Sequence, residues 1–223
     1  MGRMTGCRKV YLIRHGAIAS VHGRTYVGQA EKPLSAEGVR QVLRLRLMLE
    51  HAPISKIICS GISRAVRTAE ILAAERGIAP QVCPALREIS LGEWEGRSFA
   101  EIMRRFPEEF KARGADLVHW RPPAGESFGD LRDRVAPAFE ELLKSTPDDL
   151  LIVAHAGVNR VILCEALGIP LANLFRIGQD YGCLNVIEYG SAGCRLQLLN
   201  YTPWGMPAPQ GGKSIDQVLM AVS

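Results

Sequence analysis

Three short apolar runs in this chain each lead into a basic side chain. Val10 to Ile13 runs into Arg14, His15 and Gly16; Ile54 to Cys59 is followed, after a short turn, by Arg64; Leu150 to Ala154 runs directly into His155. Guanidiniums and imidazoles are costly to bury, so their recurrence at the ends of buried-looking segments points to chemistry there. Arginine offers a planar fork of donors that keeps its charge, and histidine near neutrality can act as nucleophile or proton donor. Two arginines and two histidines meeting in one crevice would cage a group with several anionic oxygens, and phosphate is the leading candidate. Phosphoryl transfer spreads charge over three equatorial oxygens, so donors fixed around them lower the barrier.

Taken singly, His15 and His155 each read as satisfied core histidines; their convergence gives them meaning. Arg64 falls in the first turn of a predicted helix, where the partial positive charge of the helix end disfavours a cation. A bound anion would reverse that sign. Arg67 has Glu70 one turn on and reads as a solvated pair. A covalent route further needs one unprotonated imidazole in line with phosphorus, and a carboxyl to protonate the leaving oxygen.

The elements that must position these groups follow from periodicity. The runs Val10 to Ile13, Ile54 to Cys59, Leu150 to Ala154 and Leu184 to Tyr189 have the length of buried strands. Between them, Ser35 to His51 has helical spacing with Ser35 as N-cap, and "SRAVRTAEILAAERG" reads as a helix closed by Gly77. Strands alternating with helices imply a three-layer α/β/α sandwich with a mainly parallel central sheet, whose ligand crevice lies at the carboxyl ends of the strands. The charge-rich stretch 98–146, broken at "RPPAGESF", is expected to form a small helical cap over one sheet edge. Residues 1–201 are read as one catalytic domain, and 202–223, rich in Pro, Gly and Gln, as a C-terminal tail without its own core.

Composition narrows the function classes. At 223 residues one sizeable core is possible, and a 47% apolar, 22% charged makeup is that of a soluble globular protein. Mean hydropathy of +0.03 gives no membrane signal. The net charge of +4 is too mild and too scattered to indicate nucleic acid. Six cysteines without a CxxC pair, and the lack of a secretory or myristoylation signal, suggest a reduced, cytoplasmic setting. Neither an HExxH motif nor any Cys/His metal spacing occurs, so no metal and no cofactor is expected. The oligomeric state is open, a homodimer included.

The blocks "LIRHG", "KPLSAEG", "SRAVRTAE", "LREISLGEWEG", "PPAGES" and "VAHAGVNR", in that order, resemble the histidine phosphatase superfamily, in the branch shared with cofactor-dependent phosphoglycerate mutases. The resemblance spans about Lys9 to Tyr189. It implies that His15 is the phosphorylated nucleophile and that Arg14, Arg64 and His155 bind the phosphoryl oxygens, with Gly16 and Ala156 at the substrate. Glu88 would be the proton donor and later the base that activates water. A carboxyl among cations favours its charged form, whereas a donor must hold a proton; a bound phosphate dianion offsets that pull. Glu93 and Glu95 are rival carboxylates that read as loop charges, and Trp94 and Trp120 are candidates for closing a lid. The chain departs from the family pattern at Ala17, Ile18 and Val21, where polar residues are usual, and His22 could replace the missing contact. Further departures are Gly61 for a usual Pro, Arg67 for Gln and Ala156 for Gly.

Only the stretch from Arg97 to Asp149 is available for a cap, shorter than in mutases of this branch. A shorter cap should admit water and favour hydrolysis. The expected function is a metal-independent phosphomonoesterase acting on a small phosphorylated metabolite. By resemblance of "LGEWEG", "PPAGESF" and "DYGCLNVIEY", α-ribazole 5′-phosphate is a candidate. The alternatives are a phosphoglycerate mutase and a non-catalytic binder of a phosphorylated ligand.

Overall fold

The structure is a computed structural model that describes residues 7–19, 25–191, 193–204 and 215–220. The element order is β1 (Arg8–Arg14), α1 (Ala36–Met48), β2 (Ile54–Cys59), α2 (Ser63–Ala73), β3 (Gln81–Val82), α3 (Phe99–Arg105), α4 (Pro107–Ala115), α5 (Phe128–Ser145), β4 (Asp149–Ala154), α6 (Ala156–Leu167), β5 (Leu184–Gly190), β6 (Gly193–Tyr201) and α7 (Ile215–Met220), with three short 3-10 turns between them. The strands form one sheet in the order β3-β2-β4-β1-β5-β6. The pairs β3/β2, β2/β4 and β4/β1 are parallel, and β1/β5 and β5/β6 are antiparallel. The expected three-layer sandwich with a mainly parallel sheet is therefore present, with an antiparallel margin on one side.

Alternation along each strand explains the layers. Val10, Leu12, Leu150 and Ile152 point into one core cluster with Leu131 and Val135 of α5 and Val158 and Ile162 of α6. Their neighbours Tyr11, Ile13, Leu151 and Val153 enter the other, with Val42 and Leu45 of α1 and Ala65 and Leu72 of α2. Each fully buried aliphatic side chain contributes roughly 1.5–3 kcal/mol. Strand β4, buried along its whole length, lies between β1 and β2. Thus His15 and His155 follow adjacent parallel strands at the same end, in the register Arg14↔Ala154.

Two sequence expectations need correction. The helix from Ser63 stops at Ala73 and does not run on to Gly77. The backbone leaves the helix at Ala74 (ψ 132°) and turns left-handed at Glu75 (φ 69°); the Arg76 side chain then donates to the Leu72 carbonyl and to those of Ala52 (each 3.1 Å) and Leu49 beyond α1. The stretch 98–146 also divides. Helix α5 packs Phe128, Leu131, Val135 and Phe139 into the core as part of a sandwich layer, started by a capping box between Ser127 and Asp130. In α4 no residue is fully buried, and in α3 only Ile102 is. At the far end of the chain, α7 buries Ile215 and Leu219 against the α1/α2 face. No helix among the described residues is long and apolar enough to cross a membrane.

Candidate active site

The loop after β1 is fixed from both sides. His15 N–H donates to the Ala154 carbonyl (3.1 Å), and the His15 carbonyl accepts from Gly182 N–H (2.9 Å). Behind it, Ser35 caps α1 by accepting from Gly38 N–H (3.0 Å) and bonds the Ala17 carbonyl through its own N–H (2.8 Å). Gly38 is required there, because a Cβ would meet the Ala17 oxygen at 2.0 Å. The "KPLSAEG" block thus clamps the loop that carries His15.

His15 Nδ1 lies 2.8 Å from the Gly16 carbonyl, which makes it the protonated nitrogen. Its Nε2 is left to accept from Arg64 Nε at 3.2 Å. Burial, then Arg14, then Arg64 push the His15 pKa well below its ordinary value, with the Gly16 bond opposing. The ring is neutral at neutral pH, with its lone pair on Nε2. Arg64 is only 1% exposed in the first turn of α2. Its guanidinium is aimed by the Ala30 carbonyl (2.8 Å) and the Gly28 carbonyl (2.7 Å). Burial pulls its pKa down while Glu88 and Glu31 pull it back. Arg14 stacks on the Tyr181 ring at 3.7 Å and donates to the Gln179 carbonyl at 2.6 Å, while its buried Nε has no partner.

His155 caps α6 and sits behind His15, ring centroids 5.1 Å apart. It is fully buried; its Nε2 meets Ser60 Oγ at 2.7 Å and its Nδ1 has no partner. Burial, His15 and the arginines keep its pKa well below the ordinary value. Glu88 reaches the same place from the loop after the first 3-10 turn. Its carboxylate accepts from the N–H of Gly157 (3.1 Å) at the start of α6 and from that of Ile89 (3.0 Å). The Glu88 carbonyl is held by Arg134 (3.0 Å) and Gln29 (2.9 Å).

Arg14, His15, Arg64, Glu88 and Ala156 therefore line one cleft of about 240 Å³. Gly16 is not among the residues lining it: its N–H is taken by Thr68 Oγ1 at 3.2 Å and its carbonyl orients the His15 imidazole. Glu95 clamps the N–H groups of Gln29 and Leu91, and neither it nor Glu93 lines the cleft. Trp94 is core, tilted against Tyr26 and Trp120, and neither tryptophan reaches the cleft. Ile18 lines it, while Val21 and His22 lie outside the described residues. Glu126 of "PPAGES" pairs with Arg134 and accepts from Ser90 N–H (2.8 Å), so that block braces the Glu88 loop.

Sequence reasoning missed Tyr26, Arg113, Arg160, Phe175 and Tyr181 in the cleft wall, and Ser60 and Thr68 as partners of His155 and Gly16. Arg160 lies four residues past Ala156, inside a block already singled out, and helical spacing could have placed it near the cleft. For Arg113 no such signal exists. Among the described residues no group of three or more His, Cys, Asp or Glu is arranged as metal ligands.

A family model of the histidine phosphatase superfamily (branch 1) matches residues 10–202. The adenosylcobalamin/α-ribazole phosphatases of Escherichia coli and Salmonella typhimurium are 29% and 30% identical over 193 residues, which is 86% of this chain and 95% and 96% of theirs. Among solved structures, the α-ribazole phosphatase from Shigella flexneri superposes with a TM-score of 0.81 at 29% identity, covering 86% of this chain and 96% of that one. A mycobacterial glucosyl-3-phosphoglycerate phosphatase superposes at 0.80 with 27% identity, covering 88% and 100%. A buried neutral histidine ringed by guanidiniums, on this sheet and in this order of motifs, places the chain in the histidine phosphatase superfamily, branch 1, as an enzyme of the phosphatase type.

Proposed function

We propose that the protein hydrolyses a small phosphomonoester through a phosphohistidine on His15. Its Nε2 lone pair attacks phosphorus while the bond to the leaving oxygen breaks, and Glu88 in its protonated form gives that oxygen its proton. Arg14 and Arg64 hold the phosphoryl oxygens as charge develops on them, with His155 behind the reacting ring. Water then attacks the phosphorus, giving its proton to Glu88; the P–N bond breaks, and phosphate and neutral His15 are regenerated. The positive charge at the reacting phosphate comes from guanidiniums, so the reaction runs without metal.

The observation that carries this reading is the state of His15. Nδ1 is anchored on the Gly16 carbonyl and the ring is neutral, so a nucleophilic Nε2 lies in the same cleft as Glu88. The relatives named for α-ribazole make α-ribazole 5′-phosphate the first natural substrate to assay. The test is p-nitrophenyl phosphate turnover in excess chelator, together with trapping of an acid-labile phosphoryl group. Phosphate release with label on His15, both lost in His15→Ala, is expected. Binding without turnover would make the chain a binder, and primer-dependent interconversion of phosphoglycerates would make it a mutase.

A further inference from the structure

The cleft carries more positive charge than one phosphate ester uses. Its described lining includes four arginines, Arg14, Arg64, Arg113 and Arg160, and one carboxylate, Glu88. A phosphoryl dianion beside His15 matches Arg14 and Arg64, and Glu88 holding the proton it must donate contributes no charge. Arg113 of α4 and Arg160 of α6 are left over. Both guanidiniums lie over Phe175, 5.8 and 5.2 Å from its ring centroid. Phe175 is a large apolar side chain left 51% exposed at this wall.

Neither arginine has a carboxylate. Arg113 makes no hydrogen bond or ion pair among the described residues, only contacts with the rings of Phe175 and Tyr26. Arg160 donates through Nε to the Ile177 carbonyl (2.9 Å), which aims its fork and leaves both terminal nitrogens without a protein acceptor. The chain does not lack acids for this purpose: at the preceding helix, α3, Arg97 and Arg105 share Glu101. Burial pulls the pKa of both cleft arginines down, a cost that an anion would offset. Tyr26, 4% exposed, lines the same wall, with the Arg113 guanidinium 5.9 Å from its ring centroid.

We propose that this wall is a second anion subsite. The substrate carries, besides the scissile phosphate, a further carboxylate or phosphate that Arg113 and Arg160 bind astride Phe175. This rests on the phosphomonoesterase reading and sharpens it, ranking doubly anionic esters above α-ribazole 5′-phosphate, whose remainder carries no anionic group.

The test uses monophosphates of hydroxy acids with two to six carbons, each compared with the diol monophosphate and the diol bisphosphate of the same length. At one or more lengths, kcat/KM for the acid or the bisphosphate should exceed that of the paired alcohol by about tenfold or more. Which of the two wins identifies the second group. In Arg113→Ala and Arg160→Ala that ratio should fall by about tenfold, with Arg113→Lys keeping part of it. Equal kcat/KM within every set, or equal losses on charged and uncharged partners, would overturn the subsite. If no ester turns over, p-nitrophenyl phosphate included, the phosphatase reading fails separately. Calorimetric Kd values for the same sets then decide, since a preference lost in Arg113→Ala supports the subsite and equal affinities refute it.

Discussion

On the exterior, Arg40 pairs with Glu37, Arg67 with Glu70, Arg121 with Asp130 and Arg132 with Asp133; in the cleft, Arg14, Arg64, Arg113 and Arg160 share one carboxylate among the described lining residues. The exterior pairs on α1, α2 and between Arg132 and Asp133 are solvated and screened, so each contributes at most about 1 kcal/mol. Arg14, Arg64 and Arg160 are aimed by backbone carbonyls and Arg113 lies against aromatic rings, contacts that fix direction without cancelling charge. Counter-ions are withheld where a substrate must supply them. The stability forgone by leaving these cations unneutralised is held for the ligand, in keeping with the strain that functional sites store.

That contrast can be broken or sharpened experimentally. Glu88→Gln should slow esters with poor leaving groups on the order of 10²–10⁴-fold, and p-nitrophenyl phosphate far less; uniform slowing across leaving groups would remove Glu88 from the donor role. Arg64→Ala should raise KM and lower kcat together, costing on the order of 10²–10³ in kcat/KM. A normal kcat in steady-state assays would show that Arg64 only binds.

The pH dependence is a subtler probe. Because the folded protein holds His15 and His155 below 6.5, the unfolded chain binds more protons as pH falls through 6.5, and stability is lost in that direction. Thermal melts should show Tm falling below pH 6.5, with a shallower fall in His15→Asn; an unchanged slope would mean that His15 is not held neutral. Smallest of all, Arg40→Ala should move stability by no more than about 0.5 kcal/mol in denaturant melts and leave kcat/KM unaltered. An effect as large as that of Arg64→Ala would erase the distinction between the two populations.

Much of this arrangement is legible in the chain because the site sits on regular elements. The four interior strands announce themselves as short apolar runs, and basic residues follow three of them, at once after β1 and β4 and after a short turn beyond β2. Strand β6 alternates half-buried and exposed positions, and β3 is two exposed residues long; neither offers the continuous run that marks an interior strand. The end of α2 is not legible because the backbone turns left-handed at Glu75, a residue that carries no helix-stop signal, two positions before the expected Gly77. Arg113 sits in a helix with no fully buried residue, where a cleft arginine and a solvated one look the same until Phe175 and Tyr26 are packed against it.

The central position of β1 has a consequence for biogenesis. Its two neighbours in the sheet, β4 and β5, lie roughly 140 and 175 residues further along, so the strand that leads into His15 has no partner in the sheet until residues 149–154 have been made. Such high contact order makes folding slow, and it means that a nascent or prematurely terminated chain cannot assemble the reactive centre. Catalytic competence is therefore among the last properties the growing molecule acquires.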